Sequence, residues 1–208
     1  MRNWILCLSL SVFVVPALAA DSGAGEALFA SCAVCHGVHA EGNPVMNAPA
    51  LAGQEADYLV RQLQHFKAGR RGADAVDVFG SQMRVAAAVL VDEQAIVSVA
   101  AYLAALPAAH AQGAVSGDLR NGKNVYLGNC GACHGAGAEG NAALFSPRLA
   151  GTDSVYLKRQ VRNFQQGLRG ASADDRYGRQ MKLMAGTLPT EKDLDDVLAY
   201  IQALGAAP

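Results

Sequence analysis

Beyond its first twenty residues the 208-residue chain has no tryptophan and only four cysteines, since Trp4 and Cys7 both lie in the opening segment. No spare thiols remain there for a structural disulfide, even in an oxidising compartment, or for a cysteine metal ligand. Aromatic residues make up 6% and charged residues 17% of the chain, and 17 Lys and Arg face 18 Asp and Glu. That balance leaves nothing basic enough for nucleic-acid binding. After residue 20 no apolar run approaches the roughly 20 residues of a membrane-spanning helix. Strand-like alternation is also scarce, and with it the βαβ pattern that a thioredoxin-like site needs.

The opening segment reads as a secretory signal peptide at residues 1–20. Arg2 is the charged n-region, Trp4 to Val15 the apolar core, and Ala17-Leu18-Ala19 a small-x-small cleavage site. Cys7 is not in a lipoprotein cleavage box and leaves with this segment.

The four remaining cysteines form one motif twice, Cys32-Ala33-Val34-Cys35-His36 and Cys130-Gly131-Ala132-Cys133-His134. Two thiols three positions apart suit thioether attachment to the two vinyl groups of a haem, and the adjacent imidazole suits its iron. A zinc site needs four protein ligands, whereas each copy offers two Cys and one His with no second cluster nearby. The motifs therefore imply two covalently attached haem c groups, with Cys32, Cys35, Cys130 and Cys133 as attachment points and His36 and His134 as axial ligands.

Laying residues 32–106 over 130–204 at a constant offset, without a gap, gives identity at close to half the positions. The matches include Glu41-Gly42-Asn43 with Glu139-Gly140-Asn141, Gln62 with Gln160, Arg71-Gly72 with Arg169-Gly170, and Gln82-Met83 with Gln180-Met181. These are two homologous lobes, expected at 21–106 and 118–208. Residues 107–117, with Pro and Gly and no apolar periodicity, read as the linker. Lobes of this size bury little core of their own, and a covalent haem supplies an apolar centre.

The pattern within each lobe is all-α with long glycine-rich loops. Helices are expected over 25–31, 55–67 and 92–106, and again over 122–128, 154–166 and 190–204. Gly25 with Phe29 and Tyr102, repeated as Gly122 with Tyr126 and Tyr200, predicts a close crossing of first and last helices. A sixth iron ligand required in both lobes must occur in both. Met83 and Met181 meet that condition from an expected loop, while Met46 aligns with Leu144 and Met184 with Ala86. His39, His65 and His110 are expected to face solvent. Arg71 and Arg169 are expected in loops, either paired with a haem propionate or solvated.

The doubled CxxCH, the stretches PALAG and PRLAG, the segments YLVRQLQHFKAGRRG and YLKRQVRNFQQGLRG, and the Met before the final helix together resemble the dihaem cytochrome c4 family. The resemblance covers essentially the whole chain after the signal. It implies two tandem cytochrome c-like domains, His and Met ligation at both irons, facing haem edges, a periplasmic location, and single-electron transfer from a respiratory donor toward a terminal oxidase or other acceptor.

Residues 21–113 hold five basic against nine acidic side chains, a balance of −4, and residues 114–208 hold eleven against nine, a balance of +2. Long-range fields steer encounters, so the two ends should prefer redox protein partners of different character. The expected reading is a monomeric electron carrier, not an enzyme, with association at the membrane surface left open. A dihaem peroxidase needs an iron with a displaceable ligand, and a thiosulfate-oxidising dihaem enzyme of one kind needs a Cys ligand that is absent here. The alternative is an electron-transfer subunit docked to a sulfur-compound or flavoprotein dehydrogenase.

Overall fold

The computed structural model describes residues 22–110, 115–188 and 190–206. The expected signal at 1–20 and part of the expected linker lie outside the described residues. Among the described residues five α-helices form in each lobe: α1 (Ser22–Phe29), α2 (Ala33–His36), α3 (Ala56–Lys67), α4 (Val78–Ala87) and α5 (Glu93–Ala105), then α6 (Leu119–Asn129), α7 (Gly131–His134), α8 (Ser154–Gln165), α9 (Arg176–Ala185) and α10 (Glu191–Leu204), with a single 3-10 turn at Ala142–Leu144 in the second. Among the described residues no strand forms, only the equivalent bridges Asn43 to Ala48 and Asn141 to Ser146. The all-α expectation holds.

Local sequence sets the helix ends. Asp77, Asp92, Asp118, Asp153, Asp175 and Thr190 each precede a helix and accept a hydrogen bond from a backbone N–H of its first turn. Such caps stabilise by about 1 kcal/mol each. α3 and α8 run out into Gly69 and Gly167, whose positive φ values of 68° and 76° suit a helix stop.

Each core is built where the first and last helices of a lobe cross. A methyl group at Gly25 would stand 2.3 Å from the Ser98 carbonyl oxygen, and one at Gly122 would stand 2.0 Å from that of Asp196. Only glycine permits this approach. Beside the crossings lie the expected aromatic pairs, Phe29 with Tyr102 at 5.8 Å between ring centroids and Tyr126 with Tyr200 at 5.6 Å. The large aliphatic side chains of the cores are few: Leu59, Leu90, Ile96, Val99 and Leu103 in one lobe, Leu157, Leu194, Val197, Leu198 and Ile201 in the other.

Two expectations are corrected. Met83 and Met181 lie in helices α4 and α9 rather than in loops. The glycines inside these helices, Gly80 and Gly178, suggest loop, but each donates its N–H to the capping Asp three residues earlier. His65 is buried instead of solvent-facing, with Nδ1 3.6 Å from Asp175 Oδ2 in the other lobe. His39 and His110 are exposed as expected.

Replacing Gly122 by Ala should destabilise the C-terminal lobe by about 1–3 kcal/mol in chemical denaturation, because overpacking meets a helix backbone that cannot yield. Gly128→Ala, on the same helix but with open space around its Cβ position, should be neutral or stabilising by up to about 1 kcal/mol. A lobe-specific acid response is also expected. Asp196 accepts from Lys192 Nζ, Asn121 Nδ2 and the Asp118 N–H, which pull its carboxyl down to about 2. A carboxyl lowered from its unfolded value near ~3.9 contributes stability above that value and loses it as pH falls through the folded one. Ser98 stands at the equivalent position of the other lobe. Amide hydrogen exchange between about pH 4 and 2 should therefore show the C-terminal lobe loosening through this group, and Asp196→Asn should flatten that dependence.

Candidate functional site

Each site begins at a single helical turn. α2 and α7 start within a Cys pair and end on an imidazole, so the CxxCH spacing brings two thiols and the His ring to one side of the turn. No disulfide joins Cys32, Cys35, Cys130 and Cys133. Before haem is attached, burial raises the Cys32 thiol and pushes that of Cys130 up to about 11, so both are protonated near neutrality.

His36 and His134 are each 4% exposed. The Nδ1–H of His36 donates to the Pro49 carbonyl at 2.8 Å, and that of His134 to the Pro147 carbonyl at 2.9 Å. A carbonyl can only accept, so this bond fixes the tautomer and leaves Nε2 with its lone pair. Burial outweighs the carbonyl bond and holds both imidazoles below their ordinary basicity, as a metal ligand requires. In the C-terminal lobe Nε2 of His134 faces Sδ of Met181 at 3.5 Å. Met83 holds the equivalent place in α4 and is half-buried.

Two thiols, one imidazole nitrogen and one thioether per lobe form a donor set that suits a covalently bound haem. Among the described residues there is no group of three or more His, Cys, Asp or Glu able to hold a separate metal ion. Arg61 Nε and Arg159 Nε are buried donors with no acceptor in the protein. They occupy equivalent positions of the two lobes, and a carboxylate of the cofactor would suit both.

Arg71 and Arg169 are neither solvated nor confined to their own lobes; each is 7% exposed and reaches across the lobe junction. Arg71 donates to Gln62 in its own lobe and to Gln160 and the Tyr156 hydroxyl in the other. Arg169 donates to Gln160 in its own lobe and to Gln62 and the Tyr58 hydroxyl in the other. Burial resists ionisation of Tyr58, yet Arg169 and Arg71 beside it hold its hydroxyl below the ordinary phenol value. The pairwise equivalence of these bonds gives the junction a pseudo-twofold pattern. Gln62 and Gln160 stood out in the sequence as repeat identities, but nothing local marked them as meeting one another's lobes.

Paired helical lobes, each closing on a CxxCH turn with a buried, carbonyl-tied imidazole, define a c-type cytochrome. The family model described as Cytochrome c matches residues 22–107 and 119–205. Cytochrome c4 of Azotobacter vinelandii is 32% identical over 211 residues, 96% of either chain. The thiosulfate dehydrogenase electron acceptor of Stutzerimonas stutzeri is 34% identical over 175 residues, 79% of this chain and 76% of that one. Among solved structures, reduced recombinant cytochrome c4 from Pseudomonas stutzeri superposes with a TM-score of 0.70 at 28% identity, covering 91% of this chain and all of that one. The chain belongs to the cytochrome c4 family. It carries two covalent haem c groups and is an electron carrier rather than an enzyme.

Arg169→Met should remove three charge-assisted hydrogen bonds, taking the donor from the Tyr58 hydroxyl and one of two donors from each of Gln62 and Gln160, at a cost of about 3 kcal/mol or more. Chemical denaturation should register that loss, and amide exchange should speed up along α3 and α8 where the lobes meet. Arg71→Met should behave alike.

Proposed function

We propose that Cys32 and Cys35 hold one haem and Cys130 and Cys133 the other through thioether bonds, with His36 and His134 as proximal ligands and Met83 and Met181 as distal ligands. The observation that carries this reading is the approach of Met181 Sδ to His134 Nε2 at 3.5 Å while Nδ1 is turned to Pro147. When bound, the haem iron exchanges single electrons between its ferric and ferrous forms. The chain orients the imidazole through the Pro carbonyl, keeps it neutral through burial, and presents a thioether from the opposite helix. Thioether ligation favours the reduced iron and raises the potential.

Domains at 21–106 and 118–208, joined by a linker at 107–117, fit the matched family ranges. Export by the signal at 1–20 puts the working compartment in the periplasm, where a monomer would shuttle between a respiratory donor and a terminal oxidase. Among the described residues no helix is long and apolar enough to cross a membrane. The balance of −4 in one lobe and +2 in the other gives each haem its own class of encounter partner, with rates that fall as salt screens the field. The relative named as electron acceptor of a thiosulfate dehydrogenase favours a second reading, in which a separate dehydrogenase is the donor. The chemistry of the chain is the same in both.

Replacing Met83 by Ala should remove about half of the sulfur-to-iron charge-transfer band of the oxidised holoprotein and lower the potential of that haem. An unchanged band, or ready carbon monoxide binding by the unaltered protein, would overturn the ligand assignment.

A further inference from the structure

We infer that each lobe's methionine ligand is held in position by an arginine of the other lobe, Arg159 acting on Met83 and Arg61 on Met181. The inference rests on the Met ligation proposed above.

The helices that bear the methionines bury few side chains in their own lobes. The buried residues of α4 are Gly80 and Ala87, and those of α9 are Gly178 and Ala185. Neither helix contributes a large apolar side chain to a core. A guanidinium from across the junction stands over an aromatic ring in the first turn of each. The Arg159 guanidinium carbon lies 4.4 Å from the centroid of the Phe79 ring, and that of Arg61 lies 4.6 Å from the Tyr177 ring. Met83 and Met181 are four residues after these rings, so ring and thioether share one helical face, one turn apart. A cation over an aromatic face is attracted by the ring's electrons, and more strongly as water is excluded.

The same guanidiniums grip the imidazole side of the site. Arg159 donates to the Asn47 carbonyl at 2.8 Å and to its side-chain oxygen at 3.1 Å, and Arg61 donates to the Phe145 carbonyl at 2.8 Å. Asn47 and Phe145 each stand two residues before the proline whose carbonyl orients the imidazole. The Phe145 ring also packs on Tyr177 at 5.1 Å. One side chain from the opposite lobe thus bridges the loop behind the proximal His and the helix in front of the distal Met. In the C-terminal site His65 adds a further contact from the N-terminal lobe, to the capping carboxylate of α9; Asn163 stands at the corresponding position of the repeat. Arg61 and Arg159 are positioning residues, because they act on the ligands through Tyr177 and Phe79 and the two loops.

The test uses full-length holoprotein and the shifted methyl signals that iron-bound methionines give in the NMR spectrum of the reduced state. Met83→Ala and Met181→Ala first assign one signal to each lobe. If neither variant loses a signal, the ligation reading fails, whatever the arginines do. With the signals assigned, Arg61→Gln should weaken or abolish the Met181 signal and leave that of Met83, and Arg159→Gln should do the reverse. Displacement of the affected Met by added imidazole should become about tenfold easier, the size of effect that one lost charge-assisted hydrogen bond supplies. Should a Gln variant fail to accumulate, Arg61→Lys and Tyr177→Leu, with Arg159→Lys and Phe79→Leu, probe the same contacts. Tyr177→Leu should reproduce the loss at Met181, and the Lys variants, which keep the charge without the planar fork, should fall between. An uncrossed pattern, in which Arg61 variants disturb only Met83, would overturn the inference. So would two signals and two displacement rates that no arginine variant changes.

Discussion

Buried guanidiniums at the lobe junction are the interaction on which the architecture depends. Taking a charge out of water is costly unless its donors are met. Arg71 and Arg169 each have a glutamine of their own lobe plus a glutamine and a tyrosine hydroxyl of the other within hydrogen-bonding distance. Neither lobe on its own supplies the full set of acceptors. Association of the lobes is thereby tied to satisfaction of groups that each lobe would otherwise expose or leave unmatched, and this fixes their register as well as their contact.

That register shapes the haem sites. The loops after α3 and α8 must lie close to the starts of α4 and α9, and a methyl at Gly72 or Gly170 would stand 2.1 or 2.2 Å from the carbonyl of Gly80 or Gly178. Glycine at both members of each pair, with positive φ at Gly72 and Gly170, lets the Arg-bearing loop and the Met-bearing helix share the space. The short cores left to each lobe are consistent with a chain whose apolar centre is completed by a covalently held cofactor.

The electrostatics of the two imidazoles follow from the same economy of parts. One backbone carbonyl sets the tautomer, and burial keeps the ring neutral, so orientation and ligand basicity come from the fold without a charged partner. The Met181 thioether that faces His134 is uncharged as well.

The sequence by itself determined the chemistry and the duplication. CxxCH is a local motif whose spacing alone poses two thiols and an imidazole together, and the constant offset between copies identified Met83 and Met181 as a pair. It also revealed the glycine crossings, because an aromatic and a glycine recurred at matching places. What lay beyond it were relations between residues far apart in the chain. Met83 and Met181 were expected in loops until the structure showed helices there, capped by Asp77 and Asp175. His65 looked like a surface residue until Asp175 of the other lobe covered it. Arg71 and Arg169 looked like loop charges, and Arg61 and Arg159 did not stand out at all, because no local signal tells a side chain that it faces a second copy of its own lobe. Only the tertiary structure, by docking two copies face to face, decided which repeated polar residues belong to solvent and which to the junction.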